Sequence, residues 1–184
     1  MGSFKLGDNI VHNFSILRIL YATQASDAES CKLLRKPIII LIGSIAEAIL
    51  YDLYMVKIQI FTREGVPTIP DAVLEEIRNK TIDEFAKYIS NARSKKLLGD
   101  APKIYDKLDE LRKLRNRIHI QNTKQHFDPD EPKTYNRRRQ EMAEETLEEL
   151  ISYMVDNYSR SKGRQSVADF DLPWKTRIES NTAG

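Results

Sequence analysis

The chain has 184 residues, with 29 Lys or Arg against 27 Asp or Glu and a net charge of +2. That length is one domain's worth, with a core large enough to need no disulfide or structural metal. The near-balance of charge excludes coating of nucleic acid by the whole surface, so any polyanion site must be a local patch.

Cys31 is the single cysteine, which excludes an internal disulfide and zinc sites built on paired cysteines. Such usage fits a reducing cytoplasm. The first six residues, Met1 to Leu6, carry neither a signal-peptide pattern nor a myristoylation pattern, so no membrane partner is expected. The strongest apolar run, Ile38 to Tyr51, holds Ser44 and Glu47. At fourteen residues it is too short to cross a bilayer and reads as the central helix of a core.

Apolar spacing predicts a first helix over about residues 8–24, capped by Asp8 or Asn9, with Ile10, Phe14, Leu17 and Tyr21 on one face. A second starts at Ser26 or Asp27 and runs to about Phe61, with Pro37 kinking it or opening a new first turn. Lys57-Ile58-Gln59-Ile60 alternates like a strand, which leaves its far end open. Asp71 caps a short helix after Pro70. Thr81 and Glu84 have capping-box spacing before a helix carrying Phe85, Ile89 and Ala92. Asp100 and Pro102 open a helix over about 101–122, and a last one spans about 136–158 with Met142, Leu147, Leu150, Ile151 and Met154 on its face. The fold class is all-α, a bundle of four or five helices over residues 1–158. A polar tail over 159–184 follows, in which Phe170, Leu172 and Trp174 are candidates to dock.

The helix over 101–122 breaks its own pattern. With Leu111 at zero and about 100° per residue, Ile104, Leu108, Leu114 and Ile118 form one apolar arc. Arg115 falls inside that arc, at about 40°, while His119 and Arg112 fall at its edge, at about 80° and 100°. An arginine on an apolar flank must be paired or open into a cleft. Arg112, Arg115 and His119 then share one strip, an anion site with a titratable member whose pKa the like charges depress. Basic residues late in a helix also complement its dipole, so the same strip suits a solvated face. Glu47, the only carboxylate between Pro37 and Tyr51, is the natural counter-ion for Arg115 or Arg112 if the two helices pack together.

The stretch Leu111-Arg112-Lys113-Leu114-Arg115-Asn116-Arg117-Ile118-His119 resembles the Arg, four to six residues, His motif of the HEPN family (higher eukaryotes and prokaryotes nucleotide-binding). The run Ile39 to Leu50, with Ser44 and Glu47, is similar to that family's second core helix. Arg112 to His119 has the family spacing. Arg115-Asn116 supplies the family's Arg-Asn pair but stands only three residues from His119, so both registers remain open. The resemblance spans about residues 10–158 and implies an all-α, metal-independent ribonuclease, in a toxin or antiviral setting, that works as a homodimer with both motifs in one cleft. It implies His119 as acid or base, Arg112 or Arg115 as stabiliser of phosphate charge, Asn116 as orienting group, and RNA as partner. It implies no cofactor and no metal. One subfamily pairs with an antitoxin that modifies a Tyr two residues after the motif His. Gln121 stands at that place here, so the resemblance does not extend to that subfamily, and it implies an antitoxin or other protein partner of another kind.

His12 and His126 stand alone in the chain as surface or capping residues. Arg137-Arg138-Arg139, and the group Arg93, Lys95 and Lys96, are local basic features that either guide a phosphate backbone or stay solvated. Tyr21, Tyr54 and Tyr88 would stack bases if exposed and fill the core if not.

Overall fold

The computed structural model describes residues 2–59, 66–80, 82–118, 128–158 and 172–175, with side chains from Leu6 onward. Among these residues the fold is all-α, with eight α-helices and no strand.

Helix α1 (Gly2–Gln24) buries Ile10, Phe14, Leu17 and Tyr21, the spacing read from the sequence. It begins before the expected cap, so Asp8 and Asn9 lie inside it. Asp27 does cap the next helix, α2 (Ala28–Leu33). Its carboxylate accepts from the backbone N–H of Glu29 at 2.9 Å and of Ser30 at 2.8 Å. Hydrogen bonds from Ser30 and Ser26 hold that carboxyl down at about 2.

The chain breaks at Leu34, and α3 (Arg35–Tyr51) starts anew with Pro37 in its first turn, where the missing N–H costs nothing. Helix α3 passes without a stop into a π-helical segment, Asp52–Ile58. Lys57 and Ile58 are therefore helical, not extended. The continuous helix runs 24 residues, Arg35–Ile58, long and apolar enough to cross a membrane by length and composition, where the fourteen-residue run had counted as too short. Its apolar side chains Ile38, Ile39, Ile42, Leu50 and Leu53 are fully buried inside the bundle.

Helix α4 (Asp71–Arg78) has Pro70 at its cap position, so Asp71 is its first helical residue. In α5 (Phe85–Ser94) the flanking residue is Glu84, which is extended and stands outside the helix. The Thr81 half of the expected capping box lies outside the described residues. Phe85, Ile89 and Ala92 are buried as expected. Helices α6 (Pro102–Asn116), α7 (Glu131–Thr134) and α8 (Arg137–Tyr158) complete the order. Asn136 caps α8 by accepting from the Arg139 N–H at 3.0 Å.

Helix α3 is the axis. It packs against α1, α5, α6 and α8, and α6 also packs against α5 and α8. An apolar helix of that length can be covered only from several sides, and six of the helices, α1, α3, α4, α5, α6 and α8, contribute to one core. Among its buried polar contacts is a pair of glutamines. Gln24 and Gln140 donate to each other's amide oxygens at 2.9 and 3.0 Å, joining α1 to α8. Of the stretch read as a polar tail, Leu172 and Trp174 are buried, with Trp174 packed 5.9 Å from the Tyr21 ring. Phe170 lies outside the described residues.

Candidate functional site

The site is built where α6 crosses α3. A Cβ at Gly43 would stand 2.9 Å from the Arg115 Cβ and 3.5 Å from Leu111, so only glycine permits this approach. The aliphatic stem of Arg115 lies across Gly43 and its head reaches outward, an arginine on an apolar flank resolved by snorkelling. Arg115 Nη2 donates to Glu47 Oε2, and Nη1 donates to Asn116 Oδ1 at 3.1 Å. The pair is only partly covered, with side chains 33% and 26% exposed. The counter-ion read from the sequence is thus in place.

Gly43→Ala is expected to destabilise the protein by about 1–3 kcal/mol, the usual cost of forcing a side chain into a packed contact. The better helix propensity of alanine, worth about 1 kcal/mol, does not offset it, because the opposing atom is a Cβ that cannot swing away. Urea denaturation checks this, and an unchanged or higher midpoint would count against the close crossing.

Arg112, one turn earlier, donates through Nε and Nη2 to Asp109 Oδ1 at 2.9 and 2.7 Å. Lys113 reaches Asp109 Oδ2 at 2.8 Å. Burial works to raise the Asp109 carboxyl, but the Lys113 and Arg112 hydrogen bonds outweigh it and hold it below the usual carboxylate range. Asp109 was not singled out in the sequence, although its spacing of three and four residues from Arg112 and Lys113 is the signal that finds it. Asn116 is the last helical residue and turns to Arg115. Ser44 does not join the group: its hydroxyl donates back to the Ile40 carbonyl at 3.0 Å, on its own helix.

Helix α6 ends at Asn116, about six residues earlier than its pattern predicts, and Ile118 is 51% exposed rather than on the apolar arc. The wheel angle assigned to Ile118 does not apply. His119 lies outside the described residues, as do His126 and Gln121. The cause of the early stop is Arg117, which is only 6% exposed. Its guanidinium donates to the carbonyls of Asp128 at 2.6 Å and Pro129 at 2.9 Å and to Thr134 Oγ1 at 2.9 Å. Tyr135 adds a lock by donating to the carbonyls of Leu114 and Arg117 at 3.1 and 3.3 Å, satisfying helix-end acceptors. Burial pushes the Tyr135 phenol up to about 12. The most buried arginine of the motif region is therefore Arg117, which the wheel had not marked.

Most of the other basic side chains are paired locally, while Arg138 is exposed. Arg137 donates to Glu141 at 2.7 Å, Arg139 to Glu110 at 3.2 Å, and Arg93 to Asp106 at 2.7 Å. Lys95 pairs with Glu76, and Lys96 with Asp100 at 2.7 Å. Tyr21, Tyr54 and Tyr88 are core residues, at 6%, 1% and 2% exposure. Burial raises the Tyr88 phenol, and the neighbouring Tyr51 and the Glu47 carboxylate add to the shift. Among the described residues no group of three or more His, Cys, Asp or Glu side chains is placed to hold a metal ion. Compared with known proteins, the chain matches no family model, no curated protein and no solved structure.

Proposed function

We propose that this chain is a HEPN-type endoribonuclease that cuts RNA without a metal, as a cytoplasmic homodimer with a composite cleft, in a toxin or antiviral-defence setting. The observation that supports the reading is the pair of guanidiniums on one flank of α6. Arg112 and Arg115 are a turn apart and partly exposed, at 21% and 33%, on the helix whose sequence leads on to His119. In this reading neutral His119 takes the proton of a ribose 2′-hydroxyl. The 2′-oxygen bonds to phosphorus, the bond to the 5′-oxygen breaks, and the departing 5′-oxygen takes up a proton from the now protonated imidazole or from water. Arg112 or Arg115 stabilises the charge gathering on the phosphoryl oxygens. Glu47 and Asn116 orient the Arg115 fork. The products are a 2′,3′-cyclic phosphate and a 5′-hydroxyl. The test is incubation of the purified protein with RNA in EDTA, followed by analysis of fragment ends. Cleavage with cyclic-phosphate ends is expected, and intact RNA, or cyclic-phosphate-free ends, would refute the enzyme.

One observation favours a second reading, a catalytically silent HEPN module that binds RNA, a nucleotide or a protein partner. Both guanidiniums already carry a carboxylate, Glu47 on Arg115 and Asp109 on Arg112. An anion must displace those partners to gain the full fork. Glu47→Gln is therefore expected to tighten RNA binding about two- to fivefold, the range set by a partly exposed ion pair worth up to about 1 kcal/mol. Fluorescence anisotropy at fixed salt reads this directly. A stability loss with no change in RNA affinity would instead make the Glu47–Arg115 pair purely structural.

A further inference from the structure

The partly exposed line of α3 carries Ile40, Ser44, Glu47 and Tyr51, spaced four, three and four residues apart. Of the eight tyrosines in the chain, six are buried, Tyr153 is half-buried, and Tyr51 is 42% exposed. We propose that Tyr51 is the base-stacking platform of the site, receiving the nucleobase of a single-stranded RNA whose phosphate is held at Arg115. This rests on the RNA reading above and adds to it the residue that grips the base and the form of RNA accepted.

Three observations carry it. Tyr51 lies one helical turn from Glu47, about 6 Å along the axis, which is the reach of one nucleoside from its own phosphate. Since Arg115 is bonded to Glu47, ring and guanidinium flank the same short stretch of surface. Second, the ring is held from behind. Tyr51 meets Tyr88 edge-to-face at 6.5 Å and 78°, and Tyr88 stacks on Tyr54 at 5.3 Å and 15°. Tyr54 in turn donates to the Tyr88 carbonyl at 3.2 Å and to Asn91 Oδ1 at 3.3 Å. A ring packed against one buried neighbour has less freedom to lose when a base lands on it. Third, Ser44, on the other side of Glu47, has its hydroxyl committed to Ile40, so it offers no competing donor in that direction. Every base has a π-face, so stacking of this kind is tolerant of sequence. It requires an unpaired base, which makes single strands the substrate and excludes duplex RNA.

The test uses a fluorescent 2′-O-methyl oligonucleotide, which binds without being cut, beside an abasic strand of the same backbone and a duplex, at one salt concentration. Wild-type protein is expected to bind the base-bearing single strand more tightly than either control. Tyr51→Ala should weaken that strand about tenfold and leave the abasic strand unchanged, the size expected for one lost stacking contact. Tyr51→Phe and Tyr51→Trp should keep wild-type affinity. If Tyr51→Ala binds the base-bearing strand as wild type does, or weakens both strands equally, the platform is overturned while the RNA reading stands. Wild-type protein that binds neither strand overturns both.

Discussion

His119→Ala is expected to slow RNA cleavage about a hundred- to ten-thousandfold, the range over which a positioned acid or base accelerates proton transfer. The measurement is a single-turnover rate in EDTA with saturating protein. Under that condition a weaker complex does not disguise itself as slower chemistry. The partner experiment compares Arg112→Ala with Arg115→Ala, since loss of one donor to a developing oxyanion costs about a hundred- to a thousandfold. The two arginines differ in support. Arg115 is tied to another helix through Glu47 and to Asn116 beside it, whereas among the described residues Arg112 is tied to Asp109 on its own helix. The better-supported fork is the better-oriented one, so Arg115→Ala is expected to lose more activity than Arg112→Ala. Wild-type cleavage by His119→Ala would end the acid–base assignment, whatever the arginines do.

Arg117→Ala is expected to cost about 3 kcal/mol of stability. The substitution leaves the Pro129 carbonyl without its donor and strips a charged donor from the Asp128 carbonyl and Thr134. A hydrogen bond to a charged group contributes about 1.5–3 kcal/mol, and because Asp128 and Pro129 are exposed, water can take up their carbonyls and hold the loss near the top of that range. Thr134 Oγ1 still donates to Asp128 at 2.8 Å, which limits the damage. For a domain of this length the corresponding drop in Tm is about 6–12 °C by calorimetry. Arg117→Lys should recover only part of it, because one ammonium cannot reproduce a fork that addresses three oxygens. A Tm within a degree of wild type would mean that the α6–α7 junction is held by something other than this guanidinium.

Much of the site could be read from the chain alone. Arg115 stands out because a charge occupies an apolar arc, and Glu47 because it is the lone carboxylate in an apolar helix. Each is a mismatch between a residue and its neighbours along the chain, and the structure pairs them. Asp109 escaped notice, since an aspartate three residues from an arginine is unremarkable on any solvated helix. Tyr51 shares the three- and four-residue spacing of Ser44, Glu47 and Tyr54 along the chain, but that spacing does not mark it as a stacking residue. Tyr21, Tyr54 and Tyr88 have the same helical spacing and the same chemistry, and burial alone separates them from Tyr51.

The all-α class, the faces of α1 and α8 and the restart near Pro37 follow from periodicity, glycine scarcity and proline placement, which act through residues a few positions apart. Where α6 stops is a different kind of question. Its local pattern continues past Asn116, yet Arg117 turns inward because acceptors brought back by Asp128, Pro129 and Thr134, more than ten residues downstream, bind it better than water would. Likewise the 2.9 Å clearance at Gly43 exists only once α6 is laid across α3. Contacts between distant segments have energies that no stretch of neighbouring residues contains, so they could end a helix that its own residues would have extended.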